Sequence, residues 1–85
     1  MKTRVAVISI IVENTESIES VNTTLSDSRE YIIGRMGIPY RQKGVYLISI
    51  ALDAPEDVIN TLAGRLGRLN GVSAKTNYSN IITEV

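Results

Sequence analysis

Two uncharged runs, Val5–Val12 and Val45–Leu52, are rich in β-branched residues and read as buried strands. Each is followed by a segment with helical spacing. After the first run, Ile18, Val21 and Leu25 recur at i, i+3 and i+7, with Asn14 or Thr15 placed to cap and Glu16 in the opening turn. After the second, Pro55 stands at a helix start, where its missing N–H costs nothing, and Glu56 and Asp57 suit the positive end of the dipole. Val58, Ile59, Leu62, Leu66 and Leu69 form the stripe to be buried, Arg65 and Arg68 lie near the negative end, and Gly71 is placed as the C-terminal cap.

A second strand follows each helix: Tyr31–Tyr40 in the first half, Val72–Tyr78 in the second. Gly34, Gly37 and Pro39 mark the former as an edge strand, because proline cannot donate to a ladder. Arg41–Gly44 is a polar turn into the next strand. The halves repeat at an offset of 40 residues, which carries Val5 onto Val45, Ile8 onto Ile48, Ile10 onto Ile50 and Glu16 onto Glu56. Met1–Arg4 with the apolar run behind it imitates a signal peptide. The run recurs in mid-chain, however, no small-residue cleavage site follows, and eight residues cannot span a bilayer. No membrane association is expected, and the location expected is the cytoplasm.

Two strand–helix–strand units in tandem predict an α+β, ferredoxin-like βαββαβ sandwich. Its four-stranded antiparallel sheet would carry both helices on one face, with the first and third strands central. Residues 1–85 form one domain, with 79–85 as an extended or flexible tail.

Alternation along the central strands separates two sets. Ala6, Ile8, Ile10 and Val12 with Tyr46, Ile48, Ile50 and Leu52 should pack under the helices. Val5, Val7, Ser9 and Ile11 with Val45, Leu47, Ser49 and Ala51 face the other way, uncharged and with only the serines polar. No helix remains to cover that face, and an exposed apolar patch of this kind predicts association. A homo-oligomer, dimer or tetramer, is expected through Val5, Val7, Ser9, Ile11, Val45, Leu47 and Ser49; the competing reading is that Ile81–Val85 folds over them. The Tyr31–Tyr40 edge offers a second contact by strand pairing.

Composition narrows the chemistry. Nine basic residues balance nine acidic ones, so the charge excess that nucleic-acid binding requires is absent. The four Tyr do not supply the stacking aromatics of an RNA-binding sheet, since only Tyr46 lies on a central strand, on the side meant for the helices. The chain has neither Cys nor His, which excludes disulfides, zinc and iron–sulfur ligation and Cys or His catalysis. No metal, cofactor or catalytic residue is expected, and the protein is read as a non-enzyme.

Gly64-Arg65-Leu66-Gly67 has part of the look of a phosphate loop but lacks its lysine; close helix–sheet packing is the expected role. Asn22-Thr23-Thr24 and Asn77-Tyr78-Ser79 match the glycosylation sequon by chance. The least generic stretch runs from Gly34 to Arg41. It is either an edge strand with bulges or a ligand or partner surface of Gly34, Arg35, Met36, Gly37 and Arg41, with Arg35 or Arg41 meeting an anion.

Tyr31-Ile32-Ile33-Gly34-Arg35-Met36-Gly37-Ile38-Pro39-Tyr40, Asp57-Val58-Ile59, Leu62–Leu69 and Gly71–Thr76 resemble the family of iron-only hydrogenase system regulators, over about Arg4 to Ser79. The Gly-Arg-Met-Gly-Ile-Pro stretch is the specific part. The resemblance implies an ACT-like form of the ferredoxin-like fold, similar to the C-terminal domain of nickel-responsive regulators, and a regulatory role in bacteria that make iron-only hydrogenase. The nickel ligands of those regulators are His and Cys, so their metal site does not carry over, and their ribbon–helix–helix is absent from this sequence. ACT domains bind amino acids near the first strand–helix turn, here Val12-Glu13-Asn14-Thr15, which lacks the usual glycine. The expected function is a ligand-responsive regulatory oligomer acting through a protein partner. The alternative is a non-enzymatic scaffold or assembly factor that binds a maturation protein. A third, acylphosphatase-like reading would rest on Arg and Asn alone.

Overall fold

The computed structural model describes residues 2–84. The elements run β1 (Lys2–Val12), a 3-10 turn at Thr15–Ser17, α1 (Ile18–Ser26), a second 3-10 turn at Arg29–Tyr31, β2 (Ile32–Tyr40), a third at Arg41–Lys43, β3 (Val45–Ala54), α2 (Glu56–Gly67) and β4 (Val72–Glu84). The sheet order is β2-β3-β1-β4, antiparallel throughout, so the strands that hold the two uncharged runs are central as their composition predicts. The architecture is the expected α+β sandwich of four strands and two helices.

The core lies between the helices and one face of the sheet. Ala6, Ile8, Ile10 and Val12 of β1 and Ile48, Ile50, Leu52 and Ala54 of β3 are buried against Val21 and Leu25 of α1 and Ile59, Leu62 and Leu66 of α2. Each large side chain so buried contributes roughly 1.5–3 kcal/mol. Ile18, Tyr46, Val58 and Leu69 are only half-buried at the margin of this layer. Arg65 bridges to Asp27 at 3.0 Å and ties the two helices together at the surface, an exposed pair worth at most about 1 kcal/mol.

The helix starts follow local chemistry. Asn14 Oδ1 accepts from the Glu16 N–H at 3.0 Å, and the 3-10 turn it caps leads into α1. Pro55 is the N-cap of α2, its carbonyl accepting from the Val58 and Ile59 amides.

Two sequence expectations need correction. Gly71 does not cap α2, which ends at Gly67 with Arg68 as C-cap. Instead Gly71 takes φ +70° where the chain turns into β4 and touches the β1–α1 turn: a Cβ there would lie 2.6 Å from that of Asn14. The Glu13 amide donates to the Gly71 carbonyl at 2.7 Å, and the Ser17 hydroxyl to the Asn70 carbonyl at 2.6 Å. Gly64 and Gly67 are not close-packing points, since a Cβ at either would meet nothing within 4 Å; both sit on the exposed side of α2. Of the two forms expected for the tail, the described residues take the extended one, and they do not fold over the sheet. β4 continues past a register shift opposite Val5, and Ile82, Thr83 and Glu84 pair with Arg4, Thr3 and Lys2, leaving Ile81 and Ile82 exposed. Val85, the last residue of the Ile81–Val85 segment that the competing reading folds over the sheet, lies outside the described residues.

Candidate functional site

The side of the sheet away from the helices is open. Val5, Val7 and Ile11 of β1 and Leu47 of β3 are 37–42% exposed. Ile11 pairs with Leu47, Ser9 with Ser49 and Val7 with Ala51, so the two serines face each other at the centre of an apolar field. The register of β2 extends it: Gly34 lies opposite Ala51, Met36 opposite Ser49, Ile38 opposite Leu47 and Tyr40 opposite Val45. Met36, Ile38 and Tyr40 are exposed alongside. On the far side β4 sets a polar border of Ser73, Lys75 and Asn77 opposite Ile11, Ser9 and Val7.

The Gly34–Arg41 stretch is therefore divided rather than gathered into one surface. A bulge at Ile33, between the pairs Ile32–Leu52 and Gly34–Ala51, sets the alternation. Gly34 and Met36 fall on the open face, Arg35 and Gly37 on the helix side, and Arg41 in the turn before β3. The Tyr46 ring lies against Gly37: a Cβ at that position would come within 3.1 Å of the Tyr46 hydroxyl. Tyr46, Tyr40, Pro39 and Ile18 line an apolar hollow of about 180 Å³, with Thr15 and Arg41 at its edge.

Arg35 turns the other way. Its Nη2 donates to Asn22 Oδ1 of α1 at 2.6 Å. Arg29 Nη1 donates to Ser26 Oγ at 3.3 Å. These four residues with Leu25 and Ile32 line a cleft of about 290 Å³ between α1 and β2. Sequence reasoning singled out Arg35 but missed Asn22, Ser26 and Arg29, because nothing in the spacing shows which part of α1 lies beside β2.

At the opposite end, Arg4 reaches Glu56 Oε1 at 3.1 Å and the Ser79 carbonyl at 2.8 Å. The Tyr78 hydroxyl donates to Asn60 Oδ1. Burial of the phenol raises the Tyr78 pKa; Glu56 adds to the rise and Arg4 opposes it. Among the described residues no group of three acidic, His or Cys side chains is placed to hold a metal ion, and no helix is long and apolar enough to cross a membrane.

The model of the family described as "TM1266-like: Iron-only hydrogenase system regulator, putative" matches residues 4–76. This chain belongs to that family. A solved structure of the TM1266 protein from Thermotoga maritima superposes on this family member with a TM-score of 0.86 at 31% identity, over 89% of this chain and 96% of that one. A formyltetrahydrofolate deformylase from Pseudomonas putida KT2440 matches with a TM-score of 0.67 at 19% identity, over 91% of this chain but 29% of the deformylase. That likeness shows a shared fold alone. No curated protein matches the chain. Family membership agrees with the resemblance read from the Gly34–Pro39 stretch, and residues 4–76 include both central strands and both helices.

Proposed function

We propose that this member of the iron-only hydrogenase system regulator family is a cytoplasmic homo-oligomeric module, responsive to a small ligand, that acts through a protein partner and not by catalysis. The observation that carries the reading is the uncovered apolar sheet face. Val5, Val7, Ile11, Met36, Ile38 and Leu47 stand on it together, and the tail that was the internal candidate to cover them runs along β1 instead. A second copy of the same face supplies what each lacks: apolar area, and a hydroxyl partner for the Ser9–Ser49 pair near a two-fold axis. At about 25 cal/mol per Å², covering even a few hundred Å² stabilises by several kcal/mol. The non-catalytic part of the reading is supported by the chain's lack of His and Cys, the usual bases and nucleophiles.

Light scattering of the purified protein at low and high salt tests this. A dimer or tetramer that survives salt is expected, because apolar contacts are not screened. A monomer at all concentrations would overturn the oligomer and assign the face to a different protein, as the scaffold reading requires.

A further inference from the structure

We propose that the cleft between α1 and β2 binds a small organic anion, one that carries a carboxylate or phosphate on an apolar body. This deepens the ligand-responsive part of the reading above and rests on it for its regulatory consequence, though not for binding itself.

Two guanidinium groups, Arg29 and Arg35, line the same cleft. Each donates to a neutral oxygen, Ser26 Oγ for Arg29 and Asn22 Oδ1 for Arg35, which directs the group without neutralising it. Among the described residues neither forms an ion pair, whereas Arg4 and Arg65 are committed to Glu56 and Asp27. The lining contains no carboxylate. Asp27 and Glu30 border a neighbouring hollow that shares Ser26 and Arg29, and Asp27 is already engaged by Arg65. An anion in this cleft would meet two guanidinium groups and no carboxylate of the lining. Arginine is suited to the task, because its planar fork meets a carboxylate or phosphate through two parallel hydrogen bonds.

The rest of the cleft says what accompanies the anionic group. Half-buried Ile32 supplies apolar surface beside the arginines, and Leu25, buried in the core, lies behind it in the lining. At about 290 Å³ the cleft suits a metabolite-sized ligand, at the small end of ordinary pockets. It lies on the helix side of β2, away from the proposed association face, so the two sites can be occupied independently.

The test is a heteronuclear NMR titration of the intact chain with inorganic phosphate, phenyl phosphate and benzoate. Saturable shifts confined to α1, the start of β2 and the Arg29 and Arg35 side-chain Nε–H groups are expected. At least one of the two aromatic anions should bind ten-fold or more tighter than inorganic phosphate, through its added apolar contact. Arg35→Gln and Asn22→Asp, which places a carboxylate against Arg35, should each weaken binding at least ten-fold; Arg41→Gln should not. Shifts spread evenly over all arginine side chains, affinity unchanged in R35Q and N22D, or no saturable shift with either aromatic anion would overturn the site. Light scattering on R35Q separates the two proposals, since loss of binding with an unchanged oligomer leaves the association face standing.

Discussion

The guanidinium of Arg4 lies over the ring of Tyr78, 4.4 Å from its centroid. The two residues belong to the neighbouring strands β1 and β4, at the register shift between Arg4 and Ala6. There Arg4 also donates to the Ser79 carbonyl and to Glu56 at the start of α2, while Tyr78 reaches Asn60 one turn on. The pair thus closes the end of the sandwich opposite the β1–α1 turn. Arg4 Nε is buried there without a partner, a local cost that the stacked ring and the two other contacts offset.

Replacing Arg4 with Ala should destabilise the fold by about 2 kcal/mol, since a partly desolvated cation–π contact and a charge-assisted bond to a carbonyl are both lost. Arg4→Lys keeps the charge but not the fork and should recover only part of it. Urea unfolding midpoints measure both; a loss under about 0.5 kcal/mol in R4A would mean the stack is incidental.

The raised pKa of Tyr78 makes a prediction about alkaline pH. A folded-state pKa above the ordinary tyrosine value of 10.0 means that the folded protein holds the phenolic proton more tightly than the unfolded chain does. The associated stability is fully present below pH 10.0 and falls as pH rises through the folded-state value. Stability measured from neutral pH upward should therefore decline more steeply in the native protein than in Tyr78→Phe, and equal slopes would refute the assignment.

Gly71→Ala and Gly64→Ala should move stability in opposite directions. At position 71 a side chain meets a left-handed backbone, which costs about 1–2 kcal/mol, and in addition the clash with Asn14. At position 64 the new methyl enters open space on a helix, where alanine is favoured over glycine by up to about 1 kcal/mol. Thermal melting of both variants decides the matter.

Ile11 and Leu47 are directly opposed on the open face, 42% and 38% exposed. Ile11→Lys with Leu47→Lys places two like charges where the proposed second copy must dock. The double variant should be a folded monomer: its circular dichroism unchanged, its mass by light scattering that of one chain. An oligomer that persists would move the interface elsewhere.

Much of this was legible before the fold. The uncharged runs from Val5 and Val45 had to be central strands, because only strands paired on both edges and shielded above can hold so few polar groups. Period two then assigned Ile8, Ile10, Ile48 and Ile50 to the core and Val7, Ser9, Leu47 and Ser49 to the other side, and the structure places them so. The 3-10 turn capped by Asn14 and the start of α2 at Pro55 follow from local hydrogen bonding, which a sequence carries, whereas α1 itself begins after Ser17 with no side-chain cap.

What lay outside the sequence depends on elements that meet only in space. The local sequence points to Gly71 as a helix cap because a cap is a local device; its actual constraint comes from Asn14, far away along the chain. Gly64 and Gly67 suggest close packing from their spacing, but which side of a helix faces the sheet is decided by the whole buried stripe, and theirs faces outward. β4 runs on past Tyr78 because backbone pairing with Lys2–Arg4, not side-chain burial, extends it. The split of the Gly34–Arg41 stretch turns on one bulge at Ile33, and the cleft of Asn22, Arg29 and Arg35 turns on where α1 crosses β2. Hydrophobic alternation and capping are short-range and therefore written in the chain. The meeting of distant residues is a balance struck over the whole core, and only the folded structure records it.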